Sequence, residues 1–270
     1  MGLFDLDPFE IAWVFALGAQ AISVLIVSIF FQREAIRNKA IKGLAHYYQG
    51  MMLFFLFLGI NGIFDFLEQY AHYIVSPTPG VGSLFPPEYQ VFNKLTPGLM
   101  NTTTFCIIIS LLLLSFGILS YQLEKDVFNY KHRVLSVILF ACCCVSLVAY
   151  FTQPISSLLL SSSGIAEVTT QGMISLITMS TLLPFAIIIG YWGVYYLVFA
   201  KRTMGSIRRK AILVAFGIGF IMAGIIFDIM YRSAISTTQI FWLIPLVNRA
   251  VGVLGVPMLF YGFRREQATT

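Results

Sequence analysis

Charged residues are scarce in this sequence. Asp, Glu, Lys and Arg make up only 11% of the 270 residues, whereas about 25% is usual in soluble domains. Hydrophobic residues reach 58%, and the mean hydropathy is +0.85. Such a chain cannot cover a water-exposed surface with polar side chains, which excludes a soluble enzyme or a DNA-binding domain. The net charge of +5 therefore needs an explanation other than nucleic acid.

Residues that hold metals and cofactors are also few. The three histidines are His46, His72 and His132, and the topology predicted below separates the second from the other two across the membrane. They cannot converge on one zinc or haem iron. The four cysteines, Cys106 and Cys142–Cys144, all lie inside predicted helices, so no disulfide joins the loops. We expect no metal, no cofactor and no enzymatic activity.

Seven apolar segments are long enough to span a bilayer. A hydrocarbon core about 30 Å thick needs about 20 apolar residues in a helix, and the runs lack the alternation of barrel strands. The sequence predicts an all-α, polytopic membrane protein, a single domain over 1–270 that forms a bundle of seven transmembrane helices. The predicted spans are 9–31, 48–75, 99–121, 134–151, 173–200, 211–232 and 240–263.

The basic residues predict the orientation of this bundle. Fourteen of the 17 lie in the first, third and fifth connections and in the C-terminal tail, which the positive-inside rule places in the cytoplasm. Met1–Glu10 contains three acidic residues and no basic one, as expected of an outer, uncleaved N-terminus. We expect a multi-pass plasma-membrane protein with its N-terminus outside and its C-terminus in the cytoplasm.

The connections differ in composition. The outer segment 76–98 contains five of the ten prolines, which favours a stiff, ordered lid over a slack tether. The outer segment 152–172 is rich in serine and threonine, and we expect a loop there. The cytoplasmic connections are short and leave no room for an output domain.

A stripe of polar residues follows the second predicted helix. Asn61, Asp65, Glu68 and His72 are spaced i, i+4, i+7 and i+11, which aligns them on one face. Ionisable groups inside a bilayer are costly and usually face the bundle interior or water. The stripe favours a ligand-binding or ion-pair cluster in the outer half of the bundle. The alternative is that Glu68 and His72 mark the headgroup zone.

Ionisable residues in the sixth and seventh helices extend this cluster. Arg249 follows Asn248 deep in the seventh predicted span, and an unpaired arginine there is costly. Asp65 and Asp228 lie at similar heights by helix rise, so we expect one of them to pair with it. Asp228 and Arg232 also form an i, i+4 pair. These pairs either lock the helices together or are broken by a ligand, and both interpretations stay open.

Three uncharged polar residues lie at the outer ends of the third and fifth helices. Asn101 and Thr104 begin the third span, and Thr181 lies in the fifth. Each hydroxyl alone is explained by a bond to its own helix backbone. Together with the charged residues, they indicate an outward-facing polar pocket between helices two, three, five, six and seven.

The sixth helix and the connection before it carry two further patterns. Ala215, Gly219 and Ala223 repeat every four residues, which is typical of close helix packing; we expect packing inside the bundle, the alternative being dimerisation. The connection concentrates five basic residues, and anionic headgroups attract such clusters. We expect a partner-docking or lipid-contacting surface there, the alternative being that the charges only determine topology. Its residues are Lys201, Arg202, Arg208, Arg209 and Lys210.

Two familiar seven-helix classes lack their defining residues here. A retinal protein needs a lysine in its last helix for the Schiff base; the last span has none, and Arg249 does not deprotonate. The acidic-Arg-aromatic triplet of G-protein-coupled receptors is absent after the third span, where the sequence reads Tyr121–Glu124. The likeness to both classes is limited to topology.

The end of the sequence resembles another class. The run NRAVGVLGVPMLFYGFRR contains Arg249, Gly252, Gly255, Tyr261, Gly262 and Phe263. This pattern resembles the last helix of prokaryotic seven-helix sensor modules, such as those that precede histidine kinases or cyclic-nucleotide output domains. Those sensors usually continue into an output domain, whereas this sequence stops at Thr270. The resemblance therefore implies a sensor that signals to a separate partner.

These observations lead to one functional expectation and two alternatives. We expect a stand-alone, receptor-like sensor in the lipid bilayer that binds a small molecule from outside and signals through a cytoplasmic or membrane protein. The alternatives are a small-solute or proton-coupled transporter and an accessory subunit of a membrane complex. A transporter needs a polar path to the cytoplasm, but segments 51–58, 211–220 and 251–259 are almost wholly apolar.

Overall fold

The structure is a computed structural model that describes residues 8–70, 102–127, 133–160, 177, 180–233 and 254–264. Within these ranges, side chains are described for 15–67, 107–125, 133–149, 177, 180–224 and 254–264. Every regular element in the described ranges is helical. The α-helices are α1 (Pro8–Arg37), α2 (Lys42–Tyr70), α3 (Thr102–Gln122), α4 (Val134–Leu160), α5 (Leu182–Arg202), α6 (Gly205–Ser233) and α7 (Leu254–Phe263). A π-helical turn, Leu123–Val127, continues α3.

Among the described residues, four helices are long and apolar enough to cross a membrane, which agrees with the predicted all-α membrane protein, whereas the number of seven spans stays a prediction. The four helices are Phe15–Arg37, Lys42–Leu67, Ile107–Lys125 and Leu182–Arg202, and two shorter apolar helices are Val134–Ala149 and Leu254–Phe263. Large apolar side chains such as Ile22, Ile187 and Val194 are exposed on the helix surfaces. Hydrocarbon rather than water is the natural solvent for such faces.

Several helices extend beyond the predicted spans. α1 continues to Arg37, α2 begins at Lys42 and α6 begins at Gly205, because Arg, Lys, Glu and Ala outside the apolar runs are good helix formers. The prediction of a loop from residue 152 was wrong for its first part, since α4 continues through Pro154 to Leu160. The described fifth helix begins at Leu182, and Pro184 lies in its first turn, where a missing N–H removes no helical hydrogen bond.

The first three helices pack through glycines and aromatic rings. A Cβ on Gly62 of α2 would lie 3.0 Å from the Cβ of Ala21 on α1, so the two backbones approach closely there. α2 meets α3 where the side chain of Gln122 fills the space beside Gly50. One turn deeper, the rings of Phe54 and Phe116 form an edge-to-face pair with centroids 5.4 Å apart.

The later helices complete a closed arrangement. The ring of Phe116 on α3 also meets Phe185 on α5, with centroids 5.1 Å apart, and the indole N–H of Trp192 donates to the Ser120 hydroxyl over 2.9 Å. α4 packs on the outside of α3, where the Cys143 thiol donates to the Ser110 carbonyl. α7 contacts α6 through glycines and returns to α1 through its Phe260 ring. The seventh helix therefore joins the two ends of the described bundle.

The close contact between α6 and α7 uses a different glycine from the predicted one. A Cβ on Gly217 would lie 3.0 Å from the Gly255 carbonyl oxygen, and a Cβ on Gly255 would lie 2.9 Å from the Gly217 carbonyl oxygen. Gly219, in contrast, is exposed and has nothing within 4 Å of its Cβ position. Among the described residues, the predicted packing inside the bundle is therefore wrong at Gly219, and the alternative of contact between two copies stays a prediction.

Candidate functional site

The described part of the polar stripe on α2 is turned toward protein rather than lipid. Asp65 is only 6% exposed and has a polar or electrostatic partner. Asn61 lies one turn earlier, and its Oδ1 atom is buried without a hydrogen bond from any residue that the structure describes. A buried acceptor without a partner costs about 1–3 kcal/mol. This amide oxygen is therefore a place where a bound molecule can gain a hydrogen bond.

The rest of the predicted outer cluster is described in part or not at all. Thr181 lies in the turn before α5 with its side chain buried. Glu68, Thr104, Asp228 and Arg232 lie on α2, α3 and α6, but their side chains are outside the described set. His72, Asn101, Asn248 and Arg249 lie outside the described residues altogether. The pairing of Arg249 with an acid therefore stays a prediction.

The opposite end of the bundle is described in more detail, and we call it the basic end. It contains the beginnings of α2, α4 and α6 and the ends of α1, α3, α5 and α7. The Tyr47 hydroxyl on α2 donates to the Phe263 carbonyl on α7 over 3.1 Å, and Gly50 contacts Gln122 on α3. The structure thus brings to one end of the molecule the described helix ends that border the three basic connections and the tail.

The predicted basic surface between α5 and α6 lies on the outside of this end. Lys201, Arg202, Arg208 and Arg209 are exposed, whereas Lys210 is half-buried. The two helices are joined by a short turn that ends in Gly205 with a φ of +64°, a conformation that favours glycine. Met204 in this turn is 88% exposed. Cations and apolar side chains together form a surface suited to the membrane interface.

Glu124 is a buried acidic residue at the basic end that no sequence pattern identified. Its two carboxylate oxygens accept the backbone N–H groups of Leu135 and Ser136, each over 3.0 Å. The side chain is 1% exposed, so the carboxylate acts as a buried cap at the positive end of the α4 dipole. Its role is structural, and only the spacing of an acid ten residues before an apolar helix could have suggested it.

Two side chains from other helices cap the C-terminal end of α7. The Tyr47 hydroxyl reaches the carbonyl of Phe263, and the Lys210 ammonium donates to the carbonyl of Arg264 over 2.8 Å. A cation at a helix C-terminus complements the dipole there. A Cβ on Gly262 would lie 3.1 Å from the backbone nitrogen of Val214. Packing against α6 therefore explains the glycine of the Tyr-Gly-Phe triplet.

A cavity of about 300 Å³ lies between α2, α5, α6 and α7 at the basic end. Two tyrosines, Tyr47 and Tyr196, and the apolar residues Ile207 and Phe263 form part of its wall. Lys210 and Arg264 bring positive charge to its lining. No local sequence pattern indicates this cavity, because its residues come from four helices that are far apart along the chain.

Comparison of the chain with protein-family models, curated proteins and solved structures finds no match. The function of the protein is therefore inferred from the side chains of this chain alone. No group of three or more His, Cys, Asp or Glu side chains suited to a metal lies among the residues with described positions.

Proposed function

We propose that this protein is a receptor-like sensor with seven transmembrane helices in the plasma membrane, its N-terminus outside and its C-terminus in the cytoplasm. A small polar molecule binds in the outer half of the bundle, and a separate protein partner receives the signal. The observation that carries the proposal is the buried, unsatisfied Oδ1 of Asn61, one turn from the buried Asp65. The ligand chemistry that fits is an O–H or N–H donor.

The inner half of α2 favours a sensor over a transporter. Met51, Phe54 and Phe55 are fully buried in the apolar core directly below Asn61. A solute or proton that left the outer site would meet packed aromatic rings rather than polar groups. The second alternative is an accessory subunit. It would be favoured if the protein required a stoichiometric partner for folding and showed no response to ligands.

Replacing Asn61 by leucine tests the site before its ligand is known. The change removes an unsatisfied polar group at similar volume, so we expect the free energy of unfolding of the ligand-free protein to rise by about 1 kcal/mol. Titration with a denaturing detergent measures this free energy of unfolding. Ser23→Ala is the matched control, because Ser23 lies at a similar height on α1 and its hydroxyl already bonds the Gln20 carbonyl over 2.8 Å.

A ligand screen then tests binding with the same variants. Amino acids, polyols and small carboxylic acids are added to the purified protein, and thermal unfolding is followed. We expect a compound that raises the unfolding temperature to bind Asn61→Leu at least about tenfold more weakly, and Ser23→Ala as before. Equal loss in both variants, or uptake of the compound into proteoliposomes, contradicts the sensor proposal.

Cysteine labelling tests the orientation. In a variant without the four native cysteines, Gln90→Cys should react with a membrane-impermeant maleimide added outside cells, and Ser206→Cys only after permeabilisation. Ser206 is exposed in the first turn of α6 at the basic end. Labelling of residue 206 from outside would reverse the proposed topology.

A further inference from the structure

We propose that the cavity at the basic end is a binding site for the phosphate headgroup of an anionic phospholipid. The proposal concerns the leaflet that surrounds this end and is independent of the outer ligand. It rests on the position of the cavity where apolar helices give way to charged residues, on the charges in its wall and on the chemistry of its other lining residues.

The cavity lies at the level where apolar helices give way to charged residues. Lys210 directly precedes the apolar stretch of α6 that begins at Ala211, and Arg264 directly follows α7. Lipid phosphates lie at this boundary between hydrocarbon and water. Tyrosines are enriched at the same depth, and Tyr47 and Tyr196 both line the cavity.

The charges at this point favour an anion. α6 has no acidic residue in its first turn, and Arg208, Arg209 and Lys210 follow instead. A helix N-terminus carries a partial positive charge that acidic groups stabilise, so three consecutive cations there repel both the dipole and one another. The described lining of the cavity contains the two cations Lys210 and Arg264 and no carboxylate, which suits an anionic ligand.

The shape of the lining distinguishes a lipid from a soluble anion. Besides the cations and tyrosines, the wall contains Phe199, Ile207 and Val214. Ile207 is 56% exposed, which places an apolar side chain at the mouth of a cationic cavity. A free phosphate gains nothing from these residues, whereas the glycerol and first methylenes of a phospholipid bury apolar surface against them. The volume of about 300 Å³ lies at the small end of ligand pockets and suits a headgroup rather than a whole lipid.

Native mass spectrometry of the full chain in a neutral detergent tests the proposal. Dioleoylphosphatidylglycerol and dioleoylphosphatidylcholine, which share the same acyl chains, are added separately in increasing amounts. We expect one phosphatidylglycerol molecule to bind with higher affinity than any phosphatidylcholine. In the double variant Lys210→Gln/Arg264→Gln, the affinity for phosphatidylglycerol should fall by about tenfold for each charge-assisted hydrogen bond that is lost.

A charge-matched control separates the cavity from the general surface. Arg208→Gln/Arg209→Gln removes two neighbouring cations of α6 that do not line the cavity. Because these two exposed guanidinium groups make no direct contact with a headgroup in the cavity, we expect the double variant to lose less affinity than Lys210→Gln/Arg264→Gln does. An equal loss in both double variants would reduce the site to surface electrostatics and overturn the proposal.

Two further arms exclude a folding artefact and a soluble ligand. Arg264→Gln alone leaves the Arg264 carbonyl in place for Lys210, so it should fold normally and still lose about tenfold in affinity. Inorganic phosphate and glycerol 3-phosphate at millimolar concentration should not displace the bound lipid. Displacement by either, or equal binding of the two phospholipids, contradicts a phospholipid headgroup site.

Discussion

Replacing Gly217 by leucine is expected to lower the free energy of unfolding by about 3 kcal/mol or more. A Cβ at this position would meet the Leu259 side chain at 2.8 Å and the Gly255 carbonyl oxygen at 3.0 Å. Because one of these neighbours is backbone, the side chain cannot be accommodated by a rotamer change, and α6 and α7 must separate. Gly255→Leu should have a similar effect from the other side of the contact.

Gly219→Leu is the matched control for this prediction. It lies two residues away on the same helix, is exposed and has nothing within 4 Å of its Cβ position. Both substitutions gain the same intrinsic helix propensity over glycine, so that contribution cancels in the comparison. We expect Gly219→Leu to leave the free energy of unfolding unchanged or to raise it by up to about 1 kcal/mol in the same detergent titration. Similar losses at 217 and 219 would contradict the described interface.

Removing the carboxylate of Glu124 is expected to have the second large effect. Glu124→Ala leaves the N–H groups of Leu135 and Ser136 without their acceptor, and each orphaned buried donor costs about 1–3 kcal/mol. We expect a loss of about 2–4 kcal/mol in the free energy of unfolding. Hydrogen exchange should also show faster exchange at the start of α4, which a general loss of stability would not confine to that helix.

Two further variants test whether the stabilisation comes from the charge and the position of Glu124. Glu124→Gln keeps one acceptor oxygen but loses the charge that complements the α4 dipole, so its effect should fall between those of the unmodified protein and Glu124→Ala. Glu34→Ala removes a half-buried acid at the same end, whose contact with the Asn38 amide is long at 3.4 Å. It should cost less than about 1 kcal/mol. A loss at Glu34 as large as at Glu124 would show that the cap is not the cause.

The positions of the long helices follow from the sequence, but their faces do not. Unbroken apolar runs predict α1, α2, α3 and α5, since a bilayer span needs length and hydropathy only. The same uniform hydropathy does not reveal which side of α6 packs inward. The four-residue repeat therefore points to Gly219, whereas the close contact with α7 is made by Gly217. The extensions to Arg37 and from Lys42 were missed because hydropathy ends where charge begins, although the helical hydrogen bonds continue.

For the polar residues, local spacing predicts burial on one helix face but not contacts between distant segments. The spacing of Asn61 and Asp65 predicts that both lie on an inward face, and the buried Oδ1 of Asn61 and the low exposure of Asp65 agree with it. The Glu124 cap and the cavity beside Lys210 depend on contacts between segments that no local pattern relates. Glu124 contacts residues beyond the following connection, and the cavity needs α2, α5, α6 and α7 in place.

The contacts of α7 have a consequence for how the protein is made. α1 and α2, α3 and α4, and α5 and α6 are neighbours in sequence as well as in space, so each pair can assemble in the bilayer soon after synthesis. α7 instead contacts α1 through Phe260, α2 through the carbonyl of Phe263, and α6 through Gly255. The residues that unite the first and last helices therefore leave the ribosome after all the other described helices, and the faces of α1, α2 and α6 that receive them stay uncovered until translation reaches this segment.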